Sequence, residues 1–191
     1  IDLTKDTHYL AINYNNKKHY FSFYSKERDK KNDWIEKINK IKDEIPDFSF
    51  EKLDSAAYAA GPGSYTGARL AYTFLDTIKL VTSCDFYAFS NLSALKWNND
   101  SMTPVIKGNK NDYFYEVNGK EMYCKNFKEI RENYDFISYS NEISELNNVK
   151  KLEESKVASN ILEMVLDNVG NALESNYPNY IKELDYKKID G

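Results

Sequence analysis

The stretch AAGPGSYTGARLA, residues 59–71, places three glycines and one proline at the start of a helical pattern. The segment before it, LDSAAYAA at residues 53–60, is small and apolar, which is typical of a strand buried on both faces. After the glycines, apolar residues recur every three or four positions from Leu70 to Val81. The sequence therefore predicts a strand, a tight turn and a helix in succession.

The known glycine motifs of catalytic loops match this turn poorly. A Walker A loop needs a lysine that reaches the outer phosphates, and no lysine follows Thr66. A nucleophile elbow needs glycines on both sides of its serine, but Ser64 has Pro62 and Thr66 at those positions. In a dinucleotide-binding fingerprint, Gly67 would come one place earlier and Asp85 would end a strand instead of preceding one. Composition alone favours a structural turn in which Thr66 caps the helix.

Upstream of the turn, the chain predicts a hairpin and a helix. Residues 8–14 and 19–24 are β-prone and flank the polar segment NNKK, as in a hairpin with a polar turn. From Asp33 onward the apolar residues take helical spacing, and Asp33 with Glu36 fits a capping box. Pro46 is expected to end this helix.

Downstream, the pattern predicts a second set of strands and a second long helix. Residues 1–3 are expected to belong to a strand that precedes the hairpin. The further elements are a strand at 85–89, a short helix at 91–97, strands in TPVIKG, DYFYEVN and KEMYCKN with an Asn-Gly turn at 118–119, an amphipathic helix at 155–169 and an extended start to the tail YPNYIKELDY. This order of elements indicates an α/β fold with a mixed sheet.

Composition excludes several classes of protein. With 191 residues, 41% of them apolar, the chain is long enough to bury a core. A net charge of −4 argues against an extended basic surface for nucleic acid. Cys84 and Cys124 lack metal-ligand spacing, and His8 and His19 are the only histidines. No apolar run has the length of a membrane span. We expect a cytoplasmic protein with free thiols and no bound metal.

The whole string GPGSYTGAR, residues 61–69, closely resembles the GPGSFTGLR signature of the TsaB family, which is also called YeaZ. The resemblance extends over the N-terminal half, from Asp2 and Thr4 through the hairpin and the first helix to the helix after the glycines. It returns near the C-terminus, where the residues similar to the family's P-x-Y-L-R are Pro178, Tyr180, Ile181 and Lys182.

The resemblance implies an actin-like ATPase fold, with two ribonuclease-H-like lobes of which the second is reduced. Residues 1–97 would form the N-terminal lobe that carries the glycine turn. Residues 98–191 would form the smaller, diverged C-terminal lobe.

The resemblance also implies a function. TsaB-like proteins are non-catalytic partners of the related subunit TsaD and act with the ATPase TsaE in transferring a threonylcarbamoyl group to adenosine 37 of tRNA. We therefore expect a scaffold subunit that contacts tRNA only through the complex, leaves ATP and metal to its partner, and forms a homodimer when alone. The alternative is a stand-alone enzyme that binds a nucleotide at the glycine turn.

Two sets of site residues follow from the resemblance. The expected partner interface comprises Trp34, Ile38, Ile41, Gly67, Arg69, Leu70, Ala71 and Phe74. The glycine turn, a possible nucleotide contact, comprises Gly61, Pro62, Gly63, Ser64, Tyr65 and Thr66. Gly67 and Ala71, one turn apart, would leave a shallow face for a helix of the partner. The other interpretation is that Gly67 packs on its own sheet.

The sequence also departs from the family pattern. Arg28 and Asn32 stand in the region where the family usually has a histidine. The family's Asp-Ala-Arg after its mid-chain strand is replaced by Gly108, Asn109 and Lys110. These departures predict that the second lobe has diverged.

Overall fold

The computed structural model describes residues 1–24, 33–108, 112–130, 134–139, 143, 149–167, 170 and 172–182. The strands are β1 (Thr7–Tyr14), β2 (Lys17–Tyr24), β3 (Ser55–Ala59), β4 (Asp85–Phe89), β5 (Thr103–Lys107), β6 (Tyr113–Val117), β7 (Lys120–Cys124), β8 (Phe136–Tyr139) and β9 (Val149–Leu152). The helices are α1 (Trp34–Glu44), α2 (Tyr65–Thr82), α3 (Asn91–Lys96) and α4 (Ser155–Asp167), with short 3₁₀ turns at Phe50–Lys52 and Phe127–Glu129.

The hairpin of β1 and β2 is confirmed, with a tighter turn than the sequence predicts. Tyr14 pairs with Lys17, so that the turn consists of Asn15 and Asn16 alone. Both asparagines have positive φ, 51° and 60°, as a two-residue hairpin turn of type I′ requires. Asparagine is one of the few residues that tolerates this conformation.

Residues 1–3 join the hairpin to the parallel pair of β3 and β4. The backbones of Asp2 and Tyr9 exchange two hydrogen bonds of 2.8 Å. On the other side, Ile1 N donates to Ala57 O at 2.8 Å and Ala59 N donates to Ile1 O at 2.8 Å. Residues 1–3 therefore act as a short first strand, and the first lobe has the order β2, β1, residues 1–3, β3, β4.

The second sheet repeats this arrangement. Its order is β7-β6-β5-β8-β9, with β5, β6 and β7 antiparallel and β8 and β9 parallel to β5. Numbered from the first strand of each lobe, both lobes have the order 3-2-1-4-5. One strand topology therefore occurs twice in the chain.

The second lobe keeps the sheet and shortens its connections. Residues 25–54, which include α1, separate β2 from β3, whereas only residues 125–135 separate β7 from β8. Residues 60–84, which include α2, separate β3 from β4, whereas β8 and β9 are separated by residues 140–148. The second sheet thus has five strands joined by shorter connections, and the division of the chain into two lobes of unequal size stays a prediction.

Helices α3 and α4 lie between the two sheets. Both contact each other; α3 packs on β5, β6 and β8, while α4 packs on β1 and β3. A single core cluster accordingly contains Ala59 and Phe89 from the first sheet, Leu92 from α3, Ile137 from the second sheet and Ile161 from α4. The predicted boundary after residue 97 remains a prediction. Helix α3 comes before this boundary in the sequence, yet it packs against the second sheet.

The predicted helix boundaries are largely confirmed. Helix α1 begins after Asp33, whose carboxylate accepts a hydrogen bond from Glu36 N at 3.0 Å, and it ends before Pro46. The prediction of Thr66 as N-cap of α2 is wrong. Ser64 is the N-cap, because its Oγ accepts from Gly67 N at 3.2 Å.

Several other predictions concern particular residues. Cys84 and Cys124 are both buried and free, as expected. No helix in the described ranges combines the length and apolar character needed to cross a bilayer. Of the departures from the family pattern, Gly108 is described and donates its N–H to Asp112 O at 2.7 Å. Arg28, Asn32, Asn109, Lys110 and the predicted helix end at 168–169 lie outside the described residues.

Candidate functional site at the glycine turn

The glycine turn, residues 61–66, lies where β3 ends and α2 begins, beside the end of the first strand. The Gly61–Pro62 peptide is cis and Gly61 has a φ of 115°. Ser64 N donates to Thr4 O at 3.0 Å, which ties the turn to residues 1–4. The sequence motif thus sits in the predicted setting of strand, turn and helix.

A buried hydrogen-bond network supports the turn from within. Asp2 Oδ1 accepts from Thr4 N at 2.8 Å and from Thr4 Oγ1 at 2.6 Å. Asn91, at the start of α3, donates from Nδ2 to Thr4 Oγ1 at 2.7 Å and accepts from Gly61 N at 3.1 Å. Asn91 N also donates to Gly61 O at 2.8 Å. Asn91 therefore connects the first strand, the glycine turn and α3.

Gly67 is held against the first strand of its own sheet. A Cβ at this position would lie 1.8 Å from Leu3 O, and a Cβ at Gly63 would lie 2.8 Å from Thr4 Cβ. Ala71 is also fully buried in the first core cluster. The expected shallow face at Gly67 and Ala71 is therefore corrected: both residues face inward, and the interpretation that Gly67 packs on its own sheet agrees with the structure.

Amide groups in and just after the glycine turn donate to acceptors within the chain. The N–H groups of Gly61, Ser64 and Gly67 donate to Asn91 Oδ1, Thr4 O and Ser64 Oγ. A phosphate-binding turn needs such amides directed at its ligand. The amides of Gly61, Ser64 and Gly67 are therefore committed to acceptors within the chain, and a nucleotide contact at the turn stays a prediction.

A buried carboxyl group, that of Asp2, supports the turn through its hydrogen bonds with Thr4. Asp2 is completely buried, and its Oδ2 has no hydrogen-bond partner among the residues that the structure describes. Burial raises the pKa of Asp2, and the hydrogen bonds from Thr4 offset only part of this rise. Among the residues that the structure describes, no group of three His, Cys, Asp or Glu side chains is arranged to hold a metal ion.

Contacts that the sequence analysis did not predict connect the turn to the second lobe. Glu121 on β7 accepts hydrogen bonds from Ser90 Oγ and, at 2.6 Å, from Asn179 Nδ2. Asp112 accepts from Lys182 Nζ at 2.8 Å and from Tyr123 OH at 2.8 Å. No spacing in the sequence indicates these contacts, because the partners are far apart along the chain.

The expected interface residues fall into two groups. Ile41, Gly67 and Ala71 are buried within the chain, whereas Trp34, Ile38, Leu70 and Phe74 are half-buried and Arg69 is exposed. The rings of Trp34 and Phe74 stack with centroids 3.6 Å apart, so that α1 and α2 present one common outer surface. An apolar pocket of about 180 Å³ opens beside it, lined in part by Trp34, Ile38 and Phe74.

Solved structures with the same fold come from Pseudomonas aeruginosa. One is an uncharacterized protein with similarity to the peptidase YeaZ, at 12% sequence identity and a TM-score of 0.67, with 95% of this chain and 97% of that chain covered. YeaZ itself also matches at 12% identity and a TM-score of 0.67, with 94% and 96% covered. The chain has a YeaZ-like fold.

The likeness to YeaZ is one of structure. No protein-family model matches the sequence, and no curated protein matches it either. The nearly complete coverage of both chains means that the YeaZ-like fold includes the second lobe as well as the glycine turn.

Proposed function

We propose that the chain is a TsaB-type subunit of the machinery that transfers a threonylcarbamoyl group to adenosine 37 of tRNA. The observation that carries this proposal is the string GPGSYTGAR in a strand–turn–helix unit of a YeaZ-like fold. The repeated 3-2-1-4-5 strand order supports two ribonuclease-H-like lobes and hence the actin-like ATPase fold.

The proposed role is non-catalytic, and the geometry of the turn supports it. The amides of Gly61, Ser64 and Gly67 are engaged inside the chain, and the carboxyl group of Asp2, which is hydrogen-bonded to Thr4 beside the turn, is buried with a raised pKa. The turn instead holds the first strand, α2 and α3 in one rigid unit. In this proposal the glycines were retained for packing, while ATP and metal are bound by the partner.

The partner would be a TsaD-like paralogue that packs on the outer surface of α1 and α2. This surface, the helical face, consists of Trp34, Ile38, Arg69, Leu70 and Phe74. Ile41, Gly67 and Ala71 would act indirectly. They are buried beneath this surface, and their close packing sets the position of α1 and α2. A TsaE-like ATPase would join the complex, and tRNA would be bound through the complex, in the cytoplasm.

Reconstitution tests the proposal directly. The chain is mixed with TsaD-like and TsaE-like subunits, ATP, threonine, bicarbonate, tRNA and the enzyme that forms threonylcarbamoyl-AMP, and modified adenosine is measured. We expect modification to require the chain, and the chain to co-purify with the TsaD-like subunit. Full modification without the chain would contradict the proposal, as would ATP turnover by the isolated chain that survives Ser64→Ala.

A matched pair of variants tests the helical face. Thr73 is exposed on the outer side of α2, so that Thr73→Arg should leave the fold intact. In the complex, the arginine would place a bulky charge between α2 and the partner subunit. Glu129→Arg introduces the same side chain at an exposed position of the second lobe. We expect Thr73→Arg to abolish co-purification and Glu129→Arg to preserve it. Equal binding by both variants would remove the helical face from the proposal.

The free chain should associate with itself through the same face. Exposed apolar surface of this kind usually marks a contact between proteins. Light scattering of the purified chain is expected to show a dimer at micromolar concentration, and Thr73→Arg should yield a monomer. A wild-type protein that stays monomeric at high concentration would contradict self-association.

A further inference from the structure

Residues 172–182, here called the strap, run across both lobes without helix or strand structure. Leu173 N donates to Ala88 O at 2.8 Å, and the carbonyl of Asn176 accepts from Tyr58 OH at 2.6 Å. Asn179 N then donates to Ala60 O at 2.9 Å. The first half of the strap is thus attached to the ends of β3 and β4.

The strap also covers the outside of the glycine turn. A Cβ built on Gly61 would lie 3.1 Å from Asn179 O, which shows how closely the strap approaches the turn. The hydroxyl of Tyr180 accepts from Arg69 Nε of α2 at 2.7 Å, and its ring lies 5.2 Å from that of Tyr65. Gly61 and Pro62 are buried in this state.

The second half of the strap is attached to the other lobe. Asn179 Nδ2 donates to Glu121 on β7, and Lys182 donates to Asp112, which precedes β6. Partial burial alone would raise the pKa of Asp112, but hydrogen bonds from Lys182 and Tyr123 outweigh this and lower it. A single segment therefore holds the first sheet, α2 and the second sheet together.

The contacts of the strap differ in kind from those of the core. Pro178 is its one buried residue among those described, while the side chains of Tyr177 and Tyr180 are 67% and 45% exposed. Segments with few buried apolar contacts and with hydrogen bonds near solvent open at lower cost than the sheets beneath them. In the strap, Ala172, Leu173 and Ile181 are half-buried and pack at the margins of two core clusters, and its other contacts are mainly hydrogen bonds, whereas the turn that it covers is buried in a dense network.

We propose that the strap is a detachable clamp that covers the glycine turn and holds the two lobes together. It opens as a unit while both sheets stay folded, and opening exposes Ala60, Gly61 and Pro62 at the junction of the lobes. This inference does not depend on the proposed function, because it rests only on contacts within the chain.

Thiol labelling in the native protein tests whether the strap opens. The variant Pro178→Cys places a thiol at the buried point of the strap, and the native buried thiols of Cys84 and Cys124 report on the two lobes in the same molecule. We expect the introduced thiol to react at least about 100-fold faster than both native thiols, since opening of the strap leaves the lobes folded. Reaction at the same rate as Cys84 and Cys124 would overturn the proposal.

Hydrogen exchange of the otherwise unmodified chain provides an independent test. The amides of Leu173 and Asn179 should exchange faster than the paired amides of β3. The variant Tyr180→Phe, which removes only the hydrogen bond from Arg69, should increase the exchange rate of the strap amides by about fivefold. Lys79→Met, which breaks an exposed ion pair of the first lobe outside the strap, is the control and should leave the strap unchanged. Exchange of Leu173 and Asn179 together with β3 in the wild type would show that the strap belongs to the core.

Discussion

The two lobes use the same order of five strands but connect them differently. In the first lobe long connections carry α1 and α2, and α2 begins at the glycine turn. In the second lobe a short 3₁₀ turn at Phe127–Glu129 occupies the connection that corresponds to α1. The sheet can therefore be kept while its helical layer is reduced, because the strands are held by backbone pairing and the shared core around α3 and α4.

This difference indicates where each lobe contributes. The first lobe concentrates its close contacts, its buried carboxylate and its exposed helical surface around one turn. The second lobe provides a sheet on which α3 packs and carboxylates that hold the strap. A variant should therefore be more damaging at the glycine turn than at a corresponding feature of the second lobe.

The largest effect is expected at Gly67. Gly67→Ala would place a Cβ 1.8 Å from Leu3 O, and the backbone shift should lower the free energy of unfolding by about 3 kcal/mol or more. Gly119 in the β6–β7 turn has open space around it and a φ of 75°, which asparagine tolerates. Gly119→Asn should stay within about 0.5 kcal/mol of wild type in urea denaturation. A Gly67→Ala protein as stable as the wild type would contradict the close packing of Gly67 against Leu3 and would favour an outward-facing position for this residue.

The next effect separates the two buried polar networks. Asn91→Ala leaves Gly61 N without its partner and removes one of the two hydrogen bonds of Thr4 Oγ1, and an unpaired buried group costs about 1–3 kcal/mol. In the second lobe, Ser138→Ala removes one hydrogen bond to Val105 O, for a loss of about 1 kcal/mol. Denaturation curves of both variants measure the difference. Equal losses would mean that the turn network has no greater importance than a single bond in the second sheet.

A smaller effect is expected for ion pairs. Lys96 of α3 lies 3.0 Å from Glu116 of β6, which is almost buried, so that Lys96→Met should cost about 1–2 kcal/mol by leaving this carboxylate unpaired. The pair of Lys79 and Asp85 in the first lobe is solvent-exposed. Lys79→Met should therefore not change the melting temperature, since exposed pairs add little stability. A greater loss of stability for Lys79→Met than for Lys96→Met would contradict this ranking of the two ion pairs.

The smallest effect concerns two carboxylates with opposite pKa shifts. Because the folded state raises the pKa of Asp2, it binds a proton more tightly than the unfolded chain, and stability should increase as pH falls through the raised pKa. Asp2→Asn should thus be more stable than the wild type at neutral pH and show a weaker pH dependence. Asp112 has a lowered pKa, so its contribution is present at neutral pH and is lost in acid; Asp112→Asn should gain nothing. Unfolding measured between neutral and acidic pH distinguishes the two, and a destabilised Asp2→Asn protein at neutral pH would contradict the assignment.

The elements near the glycine turn were predictable from short-range patterns. The strand, turn and helix around residues 59–71, the capped start of α1 and the hairpin each depend on neighbours a few positions apart. The N-cap of α2 could not be predicted in this way, because Ser64 and Thr66 are both suitable caps and only the direction of the backbone selects Ser64. The outer face of α2 was also misjudged at Gly67 and Ala71, since helical spacing alone does not tell which small residue faces the sheet.

The sequence by itself determined the local units and the motif that resembles the signature of a known family, because both depend on residues close together along the chain. Only the tertiary structure decided what the units contact. Leu3 against Gly67, Asn91 against Thr4 and Gly61, and the strap against Glu121 and Asp112 join residues that are distant in sequence. These contacts arise when two sheets and two intervening helices pack around one core, and periodicity carries no information about them.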